Sequence, residues 1–383
     1  MKTIKLYDSD AYLKEFRANV LSCDKSKSGY RTVLDKTAFF PESGGQYGDR
    51  GFIGDIRITD TQIENGIIYH YSKEPIEIKT DITARIDFDR RFSFMQNHSG
   101  EHIVSGLFHS EFGYDNIGFH LSEDYVTIDI NSSLDYEKIK HIETLANNAV
   151  FKNLNVKAFF PTKEEAERIN YRSKKDITSD LRLVEIEGID ICACCAPHIK
   201  KLGEIGIIKL LDFEKIKGGT RIYMKCGSFA LEDYRKKYFE IKNISDLLSA
   251  KSDSADEAVM HFVKKTNELQ TEYKELKKKF ILLKTDSAAG KCCFLEDLDM
   301  TDLQIAADAA YKNKGSCVWF FSGKDNSFSF SVCGNEEDLC RDFKAFSENL
   351  NIRGGGRNGI RQGTIKESEE KIKNYIGRYY GLD

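Results

Sequence analysis

The chain has 383 residues, which at roughly 150 residues per domain points to two or three units, each with a buried core. Its 40% hydrophobic and 31% charged residues exclude wholesale disorder, a collagen-like repeat and a disulfide-dense scaffold. With 57 basic against 61 acidic residues the net charge is −4, so any nucleic-acid contact must come from a local basic patch rather than from the field of the whole molecule.

Residues 1–90 carry short β-rich runs, Arg31–Leu34, Gly51–Ile53 and Gly66–Tyr71, broken by turn formers such as Ser43-Gly44-Gly45 and Tyr47-Gly48-Asp49. That pattern predicts a small β-barrel or curled sheet. From Phe92 to Phe112 the period changes: Phe94, Met95, His98, His102, Ile103, Leu107 and Phe108 recur at three and four, which predicts an amphipathic helix opening a second unit over 91–231. A strand Tyr125–Ile130, a helix over about 135–151 and strand-like stretches around 156–160 and 182–191 continue it. Residues 232–286 differ in kind. Phe262, Leu269, Leu276 and Leu283 repeat every seven residues, interleaved with Val259, Thr266, Tyr273 and Phe280, and Lys and Glu fill the other positions. This a/d pattern predicts a coiled-coil arm, either folded back on the helical stretch at 231–249 or paired with a second chain as a homodimer; the plainer alternative is a long surface helix. In the last unit, 287–383, Cys317–Phe321 and Phe328–Val332 read as neighbouring buried strands around the turn Gly323-Lys324-Asp325-Asn326, and Glu337–Asn349 reads as a helix. The expected fold class is α+β. No apolar run reaches the roughly 18 residues of a membrane helix, and the first residues lack a signal peptide's apolar stretch. Ten scattered or adjacent Cys read as reduced thiols, so the expectation is a cytoplasmic protein with no membrane partner.

The sharpest chemical signal is Asn97-His98-Ser99-Gly100-Glu101-His102. Imidazoles at i and i+4 lie one above the other on a helix face and can reach one metal ion. Far along the chain comes Asp190-Ile191-Cys192-Ala193-Cys194-Cys195-Ala196-Pro197-His198, where Cys194 and His198 repeat that separation. His98, His102, Cys194 and His198 together offer three nitrogens and a thiolate, a set that Zn²⁺ accepts tetrahedrally, one ion per chain. Cys192 and Cys195 stand beside Cys194 as alternative thiols. His98-x-x-Glu101-His102 also matches the H-x-x-E-H of inverted zinc proteases, but those enzymes need a downstream carboxylate where this chain has a Cys/His pair.

The HxxxH and CxxxH pairs resemble the editing domain of alanyl-tRNA synthetases and their free-standing relatives, the AlaX trans-editing proteins. The likeness extends through Asp35-Lys36-Thr37-Ala38-Phe39-Phe40, Gly44-Gly45-Gln46 and Asp49-Arg50-Gly51, then Asp87–Arg91 before the metal helix and Lys201–Gly206 after the second pair. Gly354–Gly363 is similar to the glycine-rich signature of the DHH-associated domain that the long AlaX form and the synthetase share. No stretch for an aminoacylation domain precedes the editing module, so the expected likeness is to the long AlaX form. The resemblance implies a β-barrel-like subdomain (1–90), a zinc-binding editing core (91–231), a coiled-coil arm (232–286) and a C-terminal DHH-associated domain (287–383). It implies hydrolysis of the ester in mischarged alanine-specific tRNA, chiefly seryl and, beside it, glycyl. The chain departs from the family's pattern in two respects: Cys195 and Pro197 fall within CxxxH, and Glu101 stands where an uncharged residue is common.

Within that reading Glu101 flanks the metal and serves either as general base or as a partner of the substrate's α-ammonium. Thr37, with Gly44, Gly45 and Gln46, walls the pocket, and the Thr37 hydroxyl is suited to a serine hydroxyl. Arg221, with Lys215 and Lys217, and the regularly spaced Arg353, Arg357 and Arg361 of the glycine-rich stretch are the candidate phosphate contacts. Two further readings compete: a tRNA-binding protein that keeps a structural zinc without turnover, and the inverted zinc protease.

Overall fold

The computed structural model describes residues 3–27, 29–173, 181–288 and 290–382. Strands and helices are mixed throughout, and the chain divides into two compact units, one ending at Ile241 and one beginning at Lys242.

The first unit opens with a seven-stranded sheet, in spatial order Glu15–Ala18, Ile82–Ile86, Gly51–Ile53, Ile56–Glu64, Ile67–Ser72, Gly29–Leu34 and Val20–Ser26. Every neighbouring pair is antiparallel. Its two edge strands are consecutive in sequence, with Asn19 alone between them, so the sheet has to curl until its edges approach each other. Phe16, Leu34, Phe39, Ile53, Ile58 and Ala84 fill the inside of the curl. A second antiparallel sheet, in order Asn116–Leu121, Val126–Ile130, Gly219–Cys226 and Ile208–Ile216, carries two helices. These are α1 (Phe88–Phe112) and α2 (Tyr136–Lys152). Phe94, Met95, Ile103 and Val104 of α1 and Ile139, Ile142 and Ala146 of α2 share one core with Val126, Ile128, Ile222 and Met224 of the sheet. A small third sheet joins Val156–Phe159, Leu183–Ile186 and Asp190–Ala193.

Helix α1 begins one turn before its expected start because Asp87 caps it, accepting from the Arg90 amide, and it ends at Gly113 in the left-handed conformation. It lies unusually close to its neighbours. A Cβ on Gly100 would meet Cys226 Sγ at 2.3 Å, and one on Gly106 would meet the Asp190 side chain at 2.8 Å. These two glycines let a helix rich in buried polar residues seat against both sheets.

The segment expected as one arm over 232–286 consists of two helices, α3 (Gly227–Leu247) and α4 (Ala255–Ser287). In the second unit a five-stranded sheet runs in the order Cys292–Phe294, Trp319–Lys324, Ser327–Cys333, Ile360–Ile365 and Ile352–Gly355. The central hairpin follows the sequence pattern: Lys324 pairs with Ser327, and Asp325 and Asn326 both take positive φ, the two-residue turn that suits strand twist. Helix α5 (Met300–Lys314) and the end of α4 cover one face through Ile281, Leu303, Ala306 and Phe320. Helices α6 (Glu336–Asn349) and α7 (Glu369–Tyr379) cover the other through Trp319, Phe330, Phe346 and Ile372.

Candidate metal centre

Helix α1 carries His98 and His102 one turn apart, and the loop after the strand Asp190–Ala193 carries Cys194 and His198. The fold brings the two pairs together: one ligand atom from each of His98, His102, Cys194 and His198 lies within 4.8 Å of the others. Cys194 Sγ is 3.6 Å from His98 Nε2 and 3.3 Å from His198 Nε2. Ligand atoms around a tetrahedral zinc are separated by roughly 3.3–3.6 Å, so the spacing and the donor chemistry both fit that ion. The histidines are 2–4% exposed, so three imidazoles converge away from bulk water.

Each imidazole is steered from its other nitrogen. His98 Nδ1 lies 2.9 Å from Gln46 Oε1, His198 Nδ1 lies 2.9 Å from Ser99 Oγ, and His102 Nδ1 faces Asp190 Oδ2 at 3.4 Å, long for a hydrogen bond. With each Nδ1–H directed to an oxygen, the Nε2 lone pairs are left for a metal. Asp190 in turn receives both arms of the Arg172 guanidinium at 2.7 and 2.8 Å. Burial opposes its ionisation, but the contacts with His102 and Arg172 outweigh burial and hold the carboxyl below its usual range. Burial pushes the Cys194 thiol up and, with the neighbouring His102 and His98, pushes His198 down. Without a cation the centre therefore favours neutral groups. A divalent ion would reverse that preference at the thiol.

Glu101 is buried beside the cluster. Its Oε1 accepts from Ser105 Oγ at 2.6 Å and from Asn116 Nδ2 at 2.5 Å, and its Oε2 lies 3.9 Å from His102 Nε2. The carboxylate is thus fixed on the metal side of the helix without belonging to the four-residue group. The geometry joins Cys194 to the three histidines. Cys192 instead groups with His102 and Asp190, and Cys195 is exposed with Sγ 3.5 Å from Ser43 Oγ.

The other residues singled out from sequence fall in varied places. Gly44 and Gly45, with φ of +61° and +83°, form the two central residues of a tight turn closed by the Ser43 and Gln46 backbones. The Gly45 carbonyl accepts from the Leu121 amide, and a Cβ on Gly45 would meet Phe119 Cδ1 at 2.7 Å. This docking delivers Gln46 Oε1 to His98 Nδ1, and Gln46 is fully buried. Thr37 is fully buried: its hydroxyl lies 2.8 Å from His70 Nε2 and accepts from the Phe39 amide. Arg221 makes a two-armed pair with Asp129 on the adjacent strand. Arg361 is buried and paired with Glu336 at 2.5 Å, whereas Arg353 and Arg357 are exposed on the hairpin formed by Ile352–Gly355 and Ile360–Ile365. Sequence reasoning missed Ser99, Asp190, Asn116, Ser105 and the loop-binding Arg182. Ser99 and Asp190 lie inside the two quoted motifs, and their polarity next to presumptive ligands was the available signal.

Comparison with known proteins agrees with this site. The family profile described as "Threonyl and Alanyl tRNA synthetase second additional domain" matches residues 181–223, and the one described as "tRNA synthetases class II (A)" matches residues 8–90. The chain is a homologue of alanyl-tRNA editing proteins. More particularly, it is 28% identical to the alanyl-tRNA editing protein AlaX-L of Pyrococcus horikoshii over 96% of both chains. It is 29% identical to alanyl-tRNA editing protein Aarsd1-A of Xenopus laevis, covering 86% of this chain and 80% of that relative. Against the alanine–tRNA ligase of Pyrococcus furiosus the identity is 30% over 99% of this chain, which spans 43% of the ligase.

Proposed function

We propose that the chain is a zinc-dependent deacylase that hydrolyses mischarged alanine-specific tRNA, chiefly the seryl ester and, beside it, the glycyl ester. One observation carries the reading: four ligand atoms gathered within 4.8 Å, with a fixed carboxylate beside them, in a homologue of alanyl-tRNA editing proteins. His98, His102, Cys194 and His198 would hold the ion. When bound, zinc supplies positive charge beside the ester carbonyl.

The chain's own groups do the rest. Glu101, held through Oε1 by Ser105 and Asn116, takes the proton of the attacking water on the oxygen nearer His102 and returns it to the leaving ribose oxygen. Gln46, Ser99 and Asp190 are positioning residues that keep the three imidazoles in one tautomer. Exposed Arg353 and Arg357 are the phosphate contacts of the C-terminal unit, while Arg361 and Arg221 hold strands through Glu336 and Asp129. The curled first sheet supports a barrel-like N-terminal subdomain over 1–90 ahead of an editing core over 91–231, an arm over 232–286 and a DHH-associated domain over 287–383. The exposed a/d residues of α4, Leu276 at 64% and Leu283 at 70% among them, support pairing of two copies along that seam. No helix among the described residues is long and apolar enough to cross a membrane, and the reading places the protein with tRNA in the cytoplasm.

The test is a deacylation panel against seryl-, glycyl-, alanyl- and threonyl-tRNA, with and without chelator. Hydrolysis of seryl- and glycyl-tRNA that chelation abolishes supports the reading. Binding of tRNA without turnover on any of the four overturns it in favour of a non-catalytic tRNA-binding protein with a structural ion.

A further inference from the structure

The three imidazoles are steered through their rings, whereas the thiol side of the centre is held through its backbone. Arg182 does the holding. It stands just before the strand Leu183–Ile186, opposite Cys194 and one residue past the end of the ladder in which Leu183 pairs with Ala193. Its carbonyl accepts from the Cys194 amide at 3.0 Å, and its Nη1 donates to the carbonyls of Cys194 and Ala196 at 2.9 Å each. Both backbone groups of Cys194 are therefore engaged by this one residue, and its side chain reaches on into the loop that leads to His198.

The placement is costly. Arg182 is 5% exposed, and its buried Nε has no hydrogen-bond partner among the described residues. A guanidinium kept in so dry a place with a donor unmade calls for a role beyond packing. The neighbouring sequence supplies one. Cys192, Cys194 and Cys195 crowd into four residues, and side chains alternate in direction along an extended strand, so Cys192 and Cys194 share one side and Cys195 takes the other. A slip of one residue in the pairing of Asp190–Ala193 would turn Cys195 inward and Cys194 outward. The observed register sets Cys194 Sγ 3.3 Å from His198 Nε2 and leaves Cys195 exposed beside Ser43.

We infer that Arg182 is a positioning residue that selects Cys194, and not the adjacent Cys195, as the thiol of the metal centre, by fixing the Cys194 and Ala196 carbonyls in one register. The inference rests on the metal site of the deacylase reading and adds what decides its thiol. Arg182 acts through the loop alone: its contacts are to the carbonyls, and the sulfur is left to the ion.

The experiment maps thiol alkylation in the zinc-loaded full-length protein by mass spectrometry, with Cys226, buried in the core of the first unit, as internal control. The wild type is expected to be modified at Cys195 and protected at Cys194. In Arg182→Gln the rate at Cys194 should rise roughly tenfold or more against that at Cys195 while Cys226 stays protected, and zinc affinity should fall roughly 10- to 100-fold, as for loss of other groups that orient a ligand. Modification of Cys226 would mark a variant that does not fold. Arg182→Lys, which keeps the charge on a differently shaped head, then decides by the same criterion: Cys194 modified with Cys226 protected supports the inference. Cys194 as protected as in the wild type, in whichever variant folds, overturns it, and so does a wild type whose Cys194 reacts as fast as Cys195 with zinc present. A wild type that protects Cys194 yet never deacylates seryl-tRNA leaves the role of Arg182 standing and sinks the proposed reaction instead.

Discussion

Helices α1 and α4, 25 and 33 residues long, invert each other's chemistry. Along α1 the buried positions include Gln96, Asn97, His98, Ser99, Glu101, His102 and Ser105, polar groups that folding does not gladly remove from water. Along α4 Phe262, Leu269, Leu276 and Leu283 stand in solvent, and among the described residues of that helix Ile281 and Thr285 are the buried ones. Buried polarity on α1 persists because most of these side chains find partners, and His98, His102 and Glu101 among them face one point. Exposed apolarity on α4 keeps a seven-residue period, which a lone surface helix has no reason to maintain. One helix gathers donor groups around a common point, and the other leaves a heptad row of apolar side chains in solvent.

The largest test of that contrast is His98→Ala. It should abolish zinc content and lower the rate of seryl-tRNA hydrolysis by roughly three orders of magnitude or more. Wild-type turnover without metal would separate the buried cluster from the chemistry. Glu101→Gln is expected to reduce kcat by about 10²–10⁴ at unchanged zinc content, as loss of a general base requires. If metal and rate fall together, the carboxylate is part of the scaffold. On the other side of the comparison, Leu269→Glu with Leu276→Glu should convert a dimer to a monomer by light scattering and leave the melting temperature of the chain's two units unaltered. A wild type that is monomeric at high concentration would leave the heptads without the partner assigned to them.

Buried polarity also serves structure alone, and His70 gives the contrast. Burial lowers its pKa from 6.5 to about 4, against the opposing hydrogen bond to the Thr32 carbonyl. The fold thus favours the neutral ring. Its stability is full above pH 6.5 and is lost progressively as pH falls from 6.5 to 4, by roughly 3 kcal/mol in all. Thermal melts across that window should show the loss, and His70→Gln should flatten it. A slope that persists in the variant assigns the acid sensitivity elsewhere. The smallest effect is expected for Asp190→Asn: zinc affinity, measured by competition with a chelator, should fall by roughly 10- to 100-fold. Unchanged affinity would mean that Arg172 and Asp190 brace the strand and not His102.

Much of this arrangement is legible in the residues themselves. The i, i+4 spacing of His98 and His102 and its repeat at Cys194 and His198 put four donors on two short elements, and the fold needs only to bring those elements face to face. The Asp325-Asn326 turn and the flanking aromatic strands are equally local. What sequence hid is whatever depends on who is opposite. Thr37 looks available in a motif and is consumed by His70; Arg361 keeps a four-residue rhythm with Arg353 and Arg357, yet strand pairing turns it to Glu336. The break between α3 and α4 follows no Pro or Gly, yet the heptad residues Val259–Leu283 all fall within α4 and the separate helical stretch at 231–249 falls largely within α3.

The turn at Gly44-Gly45 has a further consequence. It hands Gln46, a residue of the first sheet's connections, to a histidine of a helix that packs on a different sheet. Coordination is thereby wired to the integrity of a neighbouring module: a fragment beginning after Asp87 would retain every donor atom and lack the amide that aims one of them. Metal uptake by the four donors and consolidation of the amino-terminal half should consequently rise and fall as one cooperative event.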